Sequence, residues 1–438
     1  MMARRVGVGI IGFGTVGSGV ARIILENARL IRRRVGVPVE LVRIADLDIT
    51  RDRGIQLPPG VLVNDAKQVL NDPSVDIVVE LIGGYDYAKR LITDAIASGK
   101  HVVTANKALL ALHGEELFEA SSRKGVDLGF EASVGGGIPV IRALTEGLAA
   151  NAIQSIYGII NGTSNYILSR MSNEGHGFAE TLAEAQRAGY AEADPTFDIA
   201  GTDSAHKLAV LANLAFGTPI NFKELYTEGI THITPHDIAS AREFGFVIKL
   251  LGIAKLVEGE VEARVHPTMV ASDSPLAKIE GVYNAIQLVG DAVGDVILCG
   301  RGAGDLAAGS AVVSDIIATA RNLIKGGAGR VPPASFQQDQ RRPLRMRPME
   351  EISSLYYMRF MVLDRPGVLG HIAGELGRCD ISISSMLQKG RREGQTVPIV
   401  IKTHVAKERD VQSALREINR MPFMSEPTTL IRVEGKDE

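Results

Sequence analysis

The stretch RVGVGIIGFGTVG, residues 5–17, decides the fold of the first part of this chain. Residues 5–11, apolar after Arg5, are typical of a buried strand, and an apolar helical pattern follows residue 17. Between them the glycines have the spacing G-x-G-x-x-G, in which the first permits a tight turn, the second lets backbone approach a pyrophosphate, and the third lets the helix pack closely. We therefore predict a dinucleotide-binding loop at Gly12, Phe13, Gly14, Thr15, Val16 and Gly17.

The segments after this loop continue an alternation of strands and helices. Further apolar runs that are typical of strands lie at residues 39–45, 76–83, 101–105 and 125–132. Such alternation predicts a parallel, doubly wound sheet of the Rossmann type. We assign residues 1–133 to this dinucleotide-binding domain, and the long apolar helix at 310–325 is a candidate to pack back onto it.

The middle of the chain has a different pattern, which predicts an α+β domain over residues 134–309, and we expect it to serve substrate binding, catalysis and dimerisation. Its expected elements are a strand at 153–160, several helices up to about residue 255, a strand at 261–271 and a hairpin at 284–300. Residues 326–354, rich in Gly, Pro and Arg, are typical of a linker, and we expect its arginines to be solvated. Residues 355–438 have a βαββαβ pattern, which predicts a ferredoxin-like domain.

Composition narrows the class of protein. The formal net charge is -3, so no global basic field indicates nucleic acid or a membrane surface as a partner. No apolar stretch approaches the roughly 20 residues of a membrane span. The two cysteines, Cys299 and Cys379, are far apart and form neither a disulfide framework nor a zinc pattern, which fits a cytoplasmic protein.

The second strand is followed by charged residues of both signs. Asp46 and Asp48 are candidates to bind the ribose hydroxyls of NAD, although they lie farther along than the usual spacing of about 20 residues. Arg43, Arg51 and Arg53 are close enough in sequence to favour the 2′-phosphate of NADP instead. The choice between NAD and NADP therefore stays open.

Two further motifs follow predicted strands. Lys107, in TANKALL (104–110), comes after a strand at the sheet edge where ligands bind, or else is a surface lysine that starts a helix. EASVGGGIP (131–139) joins an acid, Glu131, to a glycine loop. Such a loop can bind a monovalent cation through oxygens, but from the residues alone we prefer a hinge between domains.

The stretch from 188 to 216 is the richest in ionisable residues, and it includes Glu192, Asp194 and Asp198. Asp203 and Lys207 are four residues apart, on one face of a predicted apolar helix. Burial would lower the pKa of Lys207 and suit it to acid–base catalysis, while the nearby carboxylate would oppose that shift. An ordinary surface ion pair is the alternative, and the apolar helix argues against it.

Taken together, these motifs resemble homoserine dehydrogenases over about residues 5–435. The similar segments are GFGTVG, TANKALL, EASVGGGIP, INGTSNYIL (160–168), residues 189–207 and GRGAGDLAAGSAVVSDI (300–316). The resemblance implies reversible NAD(P)-dependent interconversion of L-homoserine and L-aspartate 4-semialdehyde, in threonine and methionine biosynthesis. No aspartate kinase domain is present, so we expect a monofunctional enzyme.

The resemblance also implies roles for the residues singled out above. Lys207 would accept the hydroxyl proton, and Lys107 would contact cofactor and substrate. Glu192 and Asp203 would bind homoserine, with Asp198 close by. Asp46 is not the basic residue expected of a strict NADP enzyme of this family.

A sodium-like site would use Glu131 together with backbone carbonyls of Val134, Gly136 and Ile138, and Gly302 would meet the cofactor. The tail resembles an ACT domain with the turn DRPGVLGHIA (364–373), which implies L-threonine as an effector. We expect exposed edge strands of this tail to pair between subunits, in a homodimer or homotetramer, and the linker to permit movement.

Two rival functions remain at this point. An aldehyde-oxidising dehydrogenase would need a thiol nucleophile, and neither Cys299 nor Cys379 lies in a context that suggests activation. A non-enzymatic regulator that binds a dinucleotide and an amino acid on the same fold is the second rival. Turnover of homoserine would discriminate it from the enzyme.

Overall fold

The computed structural model describes residues 5–388 and 395–435. The strands in chain order are β1 (Val6–Ile11), β2 (Val39–Ala45), β3 (Leu62–Val63), β4 (Ile77–Glu80), β5 (His101–Thr104), β6 (Leu128–Gly129), β7 (Ile153–Ile159), β8 (Tyr226–Thr227), β9 (Phe246–Val257), β10 (Glu260–Ala271), β11 (Tyr283–Gly290), β12 (Gly294–Arg301), β13 (Ser353–Leu363), β14 (Ile383–Gln388), β15 (Thr396–Thr403), β16 (Ala406–Lys407) and β17 (Thr429–Glu434).

The helices in chain order are α1 (Thr15–Glu26), α2 (Ala28–Val35), α3 (Ala66–Leu70), α4 (Asp86–Ala97), α5 (Lys107–Lys124), α6 (Val140–Arg142), α7 (Gly162–Glu174), α8 (Phe178–Arg187), α9 (Thr196–Ile199), α10 (Thr202–Phe216), α11 (Pro235–Glu243), α12 (Asp305–Lys325), α13 (Val368–Arg378) and α14 (Glu408–Ile418). The chain separates into two compact units. Unit 1 comprises Met1–Ile160, Ala205–Lys223 and Tyr283–Leu344, and unit 2 comprises Asn161–Ser204, Glu224–Val282 and Arg345–Glu438.

Unit 1 contains the predicted doubly wound sheet. Its strand order is β3-β2-β1-β4-β5-β6, and the paired strands are parallel. The order reverses between β1 and β4, and ligands of such sheets bind in the crevice at that point. Strands β12, β11 and β7 form a separate antiparallel group within the same unit.

Helix α12 packs beside α1 in unit 1, across two glycines. A side chain at Gly19 would lie 2.2 Å from the Asp305 carbonyl oxygen, and one at Gly309 would lie 2.9 Å from the backbone of Gly19. Val312 and Ile316 of α12 join the same hydrophobic core as β1 and α1. The helix at 310–325 therefore packs onto the dinucleotide-binding fold. The predicted domain boundaries at residues 133 and 354 stay predictions.

Unit 2 carries a long sheet that begins with the hairpin of β9 and β10. These strands pair antiparallel from Phe246 to Ala271 around the turn Glu258–Gly259, where both residues have positive φ, 54° and 81°. Two such residues are typical of the tight type I′ turn. The prediction of helices up to about residue 255 is therefore wrong from residue 246 onward, where β9 begins. Residues 248–254 of this stretch are all buried, and burial on both faces removes the period-2 signal of a strand.

The tail has the predicted βαββαβ fold, with strand order β17-β13-β15-β14 and its own hydrophobic core. The tail is nevertheless continuous with the rest of unit 2, because β17 pairs in parallel with β10. One edge of the ferredoxin-like sheet is thus already covered within the chain, and β14 forms the other edge.

The expectation of solvated arginines at 326–354 is wrong for two of them. The side chain of Arg341 is 4% exposed and bound to Glu115, and that of Arg347 is 14% exposed and lies beside Glu260 and Glu262. Composition predicted the lack of long regular elements here, but it could not show that these cations have fixed carboxylate partners.

Candidate active site

The glycine loop has the geometry that a dinucleotide requires. Gly12 has φ of 103° and donates its N–H to the Ala45 carbonyl oxygen at 2.9 Å. A side chain at Gly17 would lie 2.1 Å from the Gly12 carbonyl oxygen, so α1 can pack this closely only with glycine there. Gly14 precedes α1, faces open space and supplies no side-chain cap. The N–H groups at the start of α1 are therefore suited to phosphate oxygens.

An acidic and a basic side chain, Asp46 at the end of β2 and Arg53 shortly after it, lie against this loop. One oxygen of Asp46 accepts the Phe13 N–H at 2.6 Å, and the other pairs with Arg53 at 3.1 Å. The Arg53 Nε donates to the Phe13 carbonyl oxygen at 2.5 Å, and its guanidinium lies 4.8 Å from the centre of the Phe13 ring. Asp48, by contrast, is exposed and accepts hydrogen bonds from its own turn, which lower the pKa of its carboxyl.

A buried network at the ends of β4 and β5 fixes the start of α5, whose first residue is Lys107. The Glu80 carboxylate is fully buried, accepts the Thr104 hydroxyl at 2.6 Å, and accepts backbone N–H groups of Ile82 and Gly83. Burial raises the pKa of Glu80. Asn106 caps α5 by accepting the N–H of residue 109. Sequence reasoning missed Glu80, because an acid inside an apolar strand has no motif of its own.

The predicted cation loop is buried and closely held. Both carboxylate oxygens of Glu131 accept backbone N–H groups, from Ile141 at 2.8 Å and Arg142 at 3.0 Å. Burial raises the pKa of Glu131. Asp315 of α12 accepts the Glu131 N–H at 2.8 Å and pairs with the Arg142 guanidinium at 3.0 Å. Burial and the neighbouring Glu131 raise the pKa of Asp315 to about 7.

The loop that contains Glu131 also contacts Gly302, the glycine that is predicted to meet the cofactor. A side chain at Gly136 would lie 2.5 Å from the Gly302 carbonyl oxygen, so these two backbones touch. Val134 and Ile138 are buried beside them. Asn284 lies against Gly302, is 1% exposed, and neither its amide oxygen nor its amide nitrogen has a hydrogen-bond partner within the described residues. An unpartnered buried amide at this point indicates a missing polar neighbour.

In unit 2, Asn161 brings two of the predicted acids together. Its amide donates to Asp198 at 2.7 Å and to Asp203 at 2.9 Å, while its amide oxygen caps α7. Asp203 is 4% exposed. Glu192 is exposed on the loop before α9. Sequence reasoning did not single out Asn161, although it follows β7 with the spacing of a helix cap.

Lys207 is on α10, four residues after Asp203, and is 9% exposed. In unit 1 its Nζ donates to the Ile160 carbonyl oxygen at 2.7 Å. The prediction of a buried helix here agrees with the structure, since α10 is buried along nearly its whole length. The ammonium is thus held by a backbone oxygen that directly follows β7.

The tail has a cleft at its first turn. The cleft has a volume of 290 Å³ and is lined by residues 362–369 together with Gln388 and Ile399. Gly367 has φ of 89° and directly precedes α13, a conformation that favours glycine. The turn DRPG therefore borders a concave site, at the start of a helix.

Comparisons with known proteins agree over nearly the whole chain. Three family models match: "Homoserine dehydrogenase, NAD binding domain" at residues 12–131, "Homoserine dehydrogenase" at 139–317 and "ACT domain" at 356–423. The homoserine dehydrogenase of Neisseria gonorrhoeae is 46% identical, and the alignment covers 98% of this chain and 99% of that protein. This chain belongs to the homoserine dehydrogenase family.

Solved homoserine dehydrogenases are similar to nearly the whole chain or to a large part of it. A crystal structure from Thiobacillus denitrificans has a TM-score of 0.93 and 45% identity, with 98% of each chain covered. A hyperthermophilic archaeal homoserine dehydrogenase in complex with NADPH has a TM-score of 0.61 and 28% identity, and it covers 72% of this chain and 98% of its own. The chain is therefore an NAD(P)-dependent oxidoreductase with an ACT domain.

Membership of this family argues against both rival functions. Burial raises the pKa of the Cys379 thiol, which is the opposite of nucleophile activation, and Cys299 is an exposed residue of an edge strand. A non-enzymatic regulator does not account for matches to a dehydrogenase family over catalytic and cofactor domains. No helix within residues 5–388 and 395–435 is long and apolar enough to cross a membrane.

Proposed function

We propose that this homoserine dehydrogenase interconverts L-homoserine and L-aspartate 4-semialdehyde with NAD or NADP. The observation that carries the proposal is that one buried helix, α10, presents both an acid and a lysine, Asp203 and Lys207. When bound, the dinucleotide supplies the hydride acceptor for oxidation and the hydride donor for reduction. The loop at Gly12, Gly14 and Gly17 would hold its pyrophosphate.

Lys207 is proposed to transfer the proton. In oxidation its neutral amine would take the hydroxyl proton as hydride leaves the same carbon, and in reduction its ammonium would return that proton to the aldehyde oxygen. The hydrogen bond to the Ile160 carbonyl oxygen orients Nζ for this task. Lys107, at the start of α5, would contact cofactor and substrate, and its position is fixed by the Asn106 cap.

The acids of unit 2 are proposed to bind the substrate ammonium. Asp198 and Asp203 both accept hydrogen bonds from the Asn161 amide, so the two carboxylates lie close together, as two acids that share one cationic ligand would. Glu192 would add a third carboxylate from an exposed loop. A cluster of acids suits the charged ammonium group of an amino-acid substrate.

A monovalent cation such as sodium fits the loop that contains Glu131. A carboxylate has about four lone-pair positions, and the two N–H groups occupy only part of that capacity. Carbonyls of Val134, Gly136 and Ile138 would supply the remaining oxygens. The Asn284 amide, which has no hydrogen-bond partner in the part of the chain that the structure describes, lies beside the same backbone. The bound cation would stabilise the loop that contacts Gly302.

We further propose an amino-acid effector, L-threonine, in the cleft of the ACT domain, and assembly as a homodimer or homotetramer. The cleft at residues 362–369 supports the first, because a helix start suits a carboxylate. The edge of β14 supports the second, because within residues 5–388 and 395–435 this strand pairs on one side only, with β15, and such an edge can pair with another chain. Two cysteines that are free thiols fit a reducing cytoplasm.

The experiment that tests the proposed function compares initial rates of homoserine oxidation by the native chain and by Lys207→Ala, with NAD and with NADP. Loss of the proton acceptor should lower kcat by about 10²–10⁴-fold. Affinity for the dinucleotide should hardly change, because the loop that would bind its pyrophosphate lies at the start of α1 and not on α10. Lys223→Ala, at an exposed lysine, is the matched control. Near-normal kcat in Lys207→Ala would contradict the proposed role.

A further inference from the structure

A segment with few regular elements is wrapped around the end of α10 in unit 1. We call residues 336–344 the α10 strap. The Phe336 ring packs against Gly217, directly after α10, so closely that a side chain there would lie 2.8 Å from the ring. The Leu344 N–H donates to the Thr218 hydroxyl at 2.9 Å. Both ends of the strap are therefore bound to the two residues that directly follow α10.

At the middle of the strap, Arg341 joins α10 to α5. Its two terminal nitrogens donate to the two carboxylate oxygens of Glu115, at 2.5 and 2.7 Å. One of them also donates to the Asn213 amide oxygen at 2.9 Å, and the Asn213 amide nitrogen donates back to Glu115 at 2.6 Å. Every member of this triangle contacts the other two.

The geometry of the Arg341 triangle is that of a rigid link. A guanidinium and a carboxylate paired through two hydrogen bonds fix each other's orientation as well as their distance. Exposed ion pairs contribute little because water competes for both charges, but the Arg341 side chain is 4% exposed. The link therefore holds against solvent, although the Glu115 side chain itself is 37% exposed.

The two helices that Arg341 joins are those that carry the two lysines. Glu115 lies eight residues after Lys107 on α5, and Asn213 lies six residues after Lys207 on α10. At a rise of 1.5 Å per residue these separations are about 12 Å and about 9 Å along each helix axis. A helix moves as a nearly rigid body over such lengths, so a displacement at the triangle reaches the lysines.

We propose that Arg341 is a positioning residue, which sets α5 relative to α10 and thereby Lys107 relative to Lys207. The inference rests on the proposed function, because it matters only where both lysines act on one substrate. Transfer of a proton and a hydride needs reacting atoms at about 3–3.5 Å, and a misplacement of 1 Å can cost about 100-fold in rate. Arg341 itself contacts no reacting atom.

The test compares the variants Arg341→Ala and Arg341→Lys with the native chain. It measures kcat, the KM for homoserine and, by nicotinamide fluorescence, the dissociation constant for NADPH. We expect Arg341→Ala to lower kcat at least tenfold and to leave the dissociation constant within twofold of the native value. Arg341→Lys should give an intermediate kcat, since an ammonium cannot form the paired hydrogen bonds. The matched control is Arg342→Ala, at the exposed neighbouring arginine.

Two further measurements distinguish the positioning role of Arg341 from a purely structural role. Guanidinium ion at millimolar concentration should restore part of the kcat of Arg341→Ala, while Arg342→Ala should not respond. In the double variant Glu115→Ala with Arg341→Ala, the loss in kcat should be no larger than the greater single loss, because both changes break the same link. Thermal unfolding of each variant shows whether the folded fraction at the assay temperature is unchanged.

The possible outcomes are distinguishable. Native kcat in Arg341→Ala, an equal loss in Arg342→Ala, or a loss explained by the unfolded fraction alone would overturn the positioning role and leave the proposed function standing. If Arg341→Ala fails to fold, the ratio of kcat to folded fraction in Arg341→Lys decides between the same alternatives. Absence of homoserine turnover by the native chain would overturn the proposed function and this inference together.

Discussion

Arg53 and Asp46 are held together at the end of β2, at the place where the cofactor ribose is expected. The Asp46 carboxylate is already engaged by Arg53 and by the Phe13 N–H. The side chain of Arg53 is 9% exposed, and its charge is fixed beside the glycine loop. A fixed guanidinium suits a phosphate better than a hydroxyl, because it can pair with two of its oxygens.

We therefore predict that Arg53→Ala lowers the ratio of kcat/KM for NADP over NAD by at least about tenfold, since a charge-assisted hydrogen bond contributes about 1.5–3 kcal/mol. Initial rates with both cofactors at saturating homoserine give this ratio. Arg51→Ala, at an exposed arginine two residues earlier, should leave it unchanged. Equal losses with both cofactors would mean that Arg53 only supports the Phe13 backbone.

Sequence reasoning at the scale of residues succeeded where a residue type implied its own chemistry. The structural roles of the glycines in the dinucleotide loop could be predicted from the sequence, because only glycine fits the positive φ of Gly12 and the close approach at Gly17. Glu80 and Asn284 could not be found, because their significance depends on burial and on neighbours from distant segments. The roles of Lys107 and Lys207 stay predictions.

At the scale of elements, the main wrong prediction concerned β9, a strand that was expected to be helical. Lys249 lies in the middle of this strand and is 2% exposed. Its Nζ donates to the Ile279 carbonyl oxygen at 2.5 Å and lies 3.3 Å from the Asn165 amide oxygen. Burial lowers the pKa of Lys249 to about 8. A strand that is apolar apart from two lysines, Lys249 and Lys255, has no clear period-2 alternation, so only its hairpin turn could have identified it.

The depressed pKa of Lys249 predicts a dependence of stability on pH. Because this pKa is about 8 when folded and 10.5 ordinarily, the unfolded chain binds more protons between those values. The free energy of unfolding should therefore rise between pH 8 and pH 10.5 in the native chain relative to Lys249→Met, by at most about 3 kcal/mol. Urea unfolding of both at several pH values measures the difference. For Lys278→Met, at an exposed lysine, the difference from the native chain should stay constant with pH, and constancy in Lys249→Met too would contradict the prediction.

At the scale of the whole molecule, the tail was expected to be a module on a mobile linker. Its fold was predictable because each of its elements has a clear pattern and a turn signal. Its attachment was not, because the ladder between β17 and β10 joins residues more than 160 positions apart. Arg432 of β17 binds Glu408 of the tail and Glu228, which precedes α11. The tail and the middle of unit 2 should consequently unfold together.

This cooperativity can be tested at the Asp237–Arg359 pair. Asp237, fully buried at the start of α11, accepts the Arg359 Nε at 2.7 Å and the Tyr357 hydroxyl at 3.1 Å, so it joins α11 to the central strand of the tail, β13. Removal of the cation leaves a buried carboxylate without its charge partner, which costs about 3–5 kcal/mol. Arg359→Leu should therefore lower the free energy of unfolding by that amount.

The double variant Asp237→Asn with Arg359→Leu should recover part of the loss, because the stranded charge is then gone. Arg409→Leu, at a largely exposed arginine of the same tail, should have little effect, because water already competes for its charge. Denaturation followed by circular dichroism gives these free energies, and hydrogen exchange of α11 and β13 shows whether both segments open together. If Arg359→Leu loosened β13 alone and left α11 protected, the tail would be an independent module. If both segments lose protection to the same extent, any effector that stabilises the tail also stabilises α11, through the differential affinity that such coupling requires.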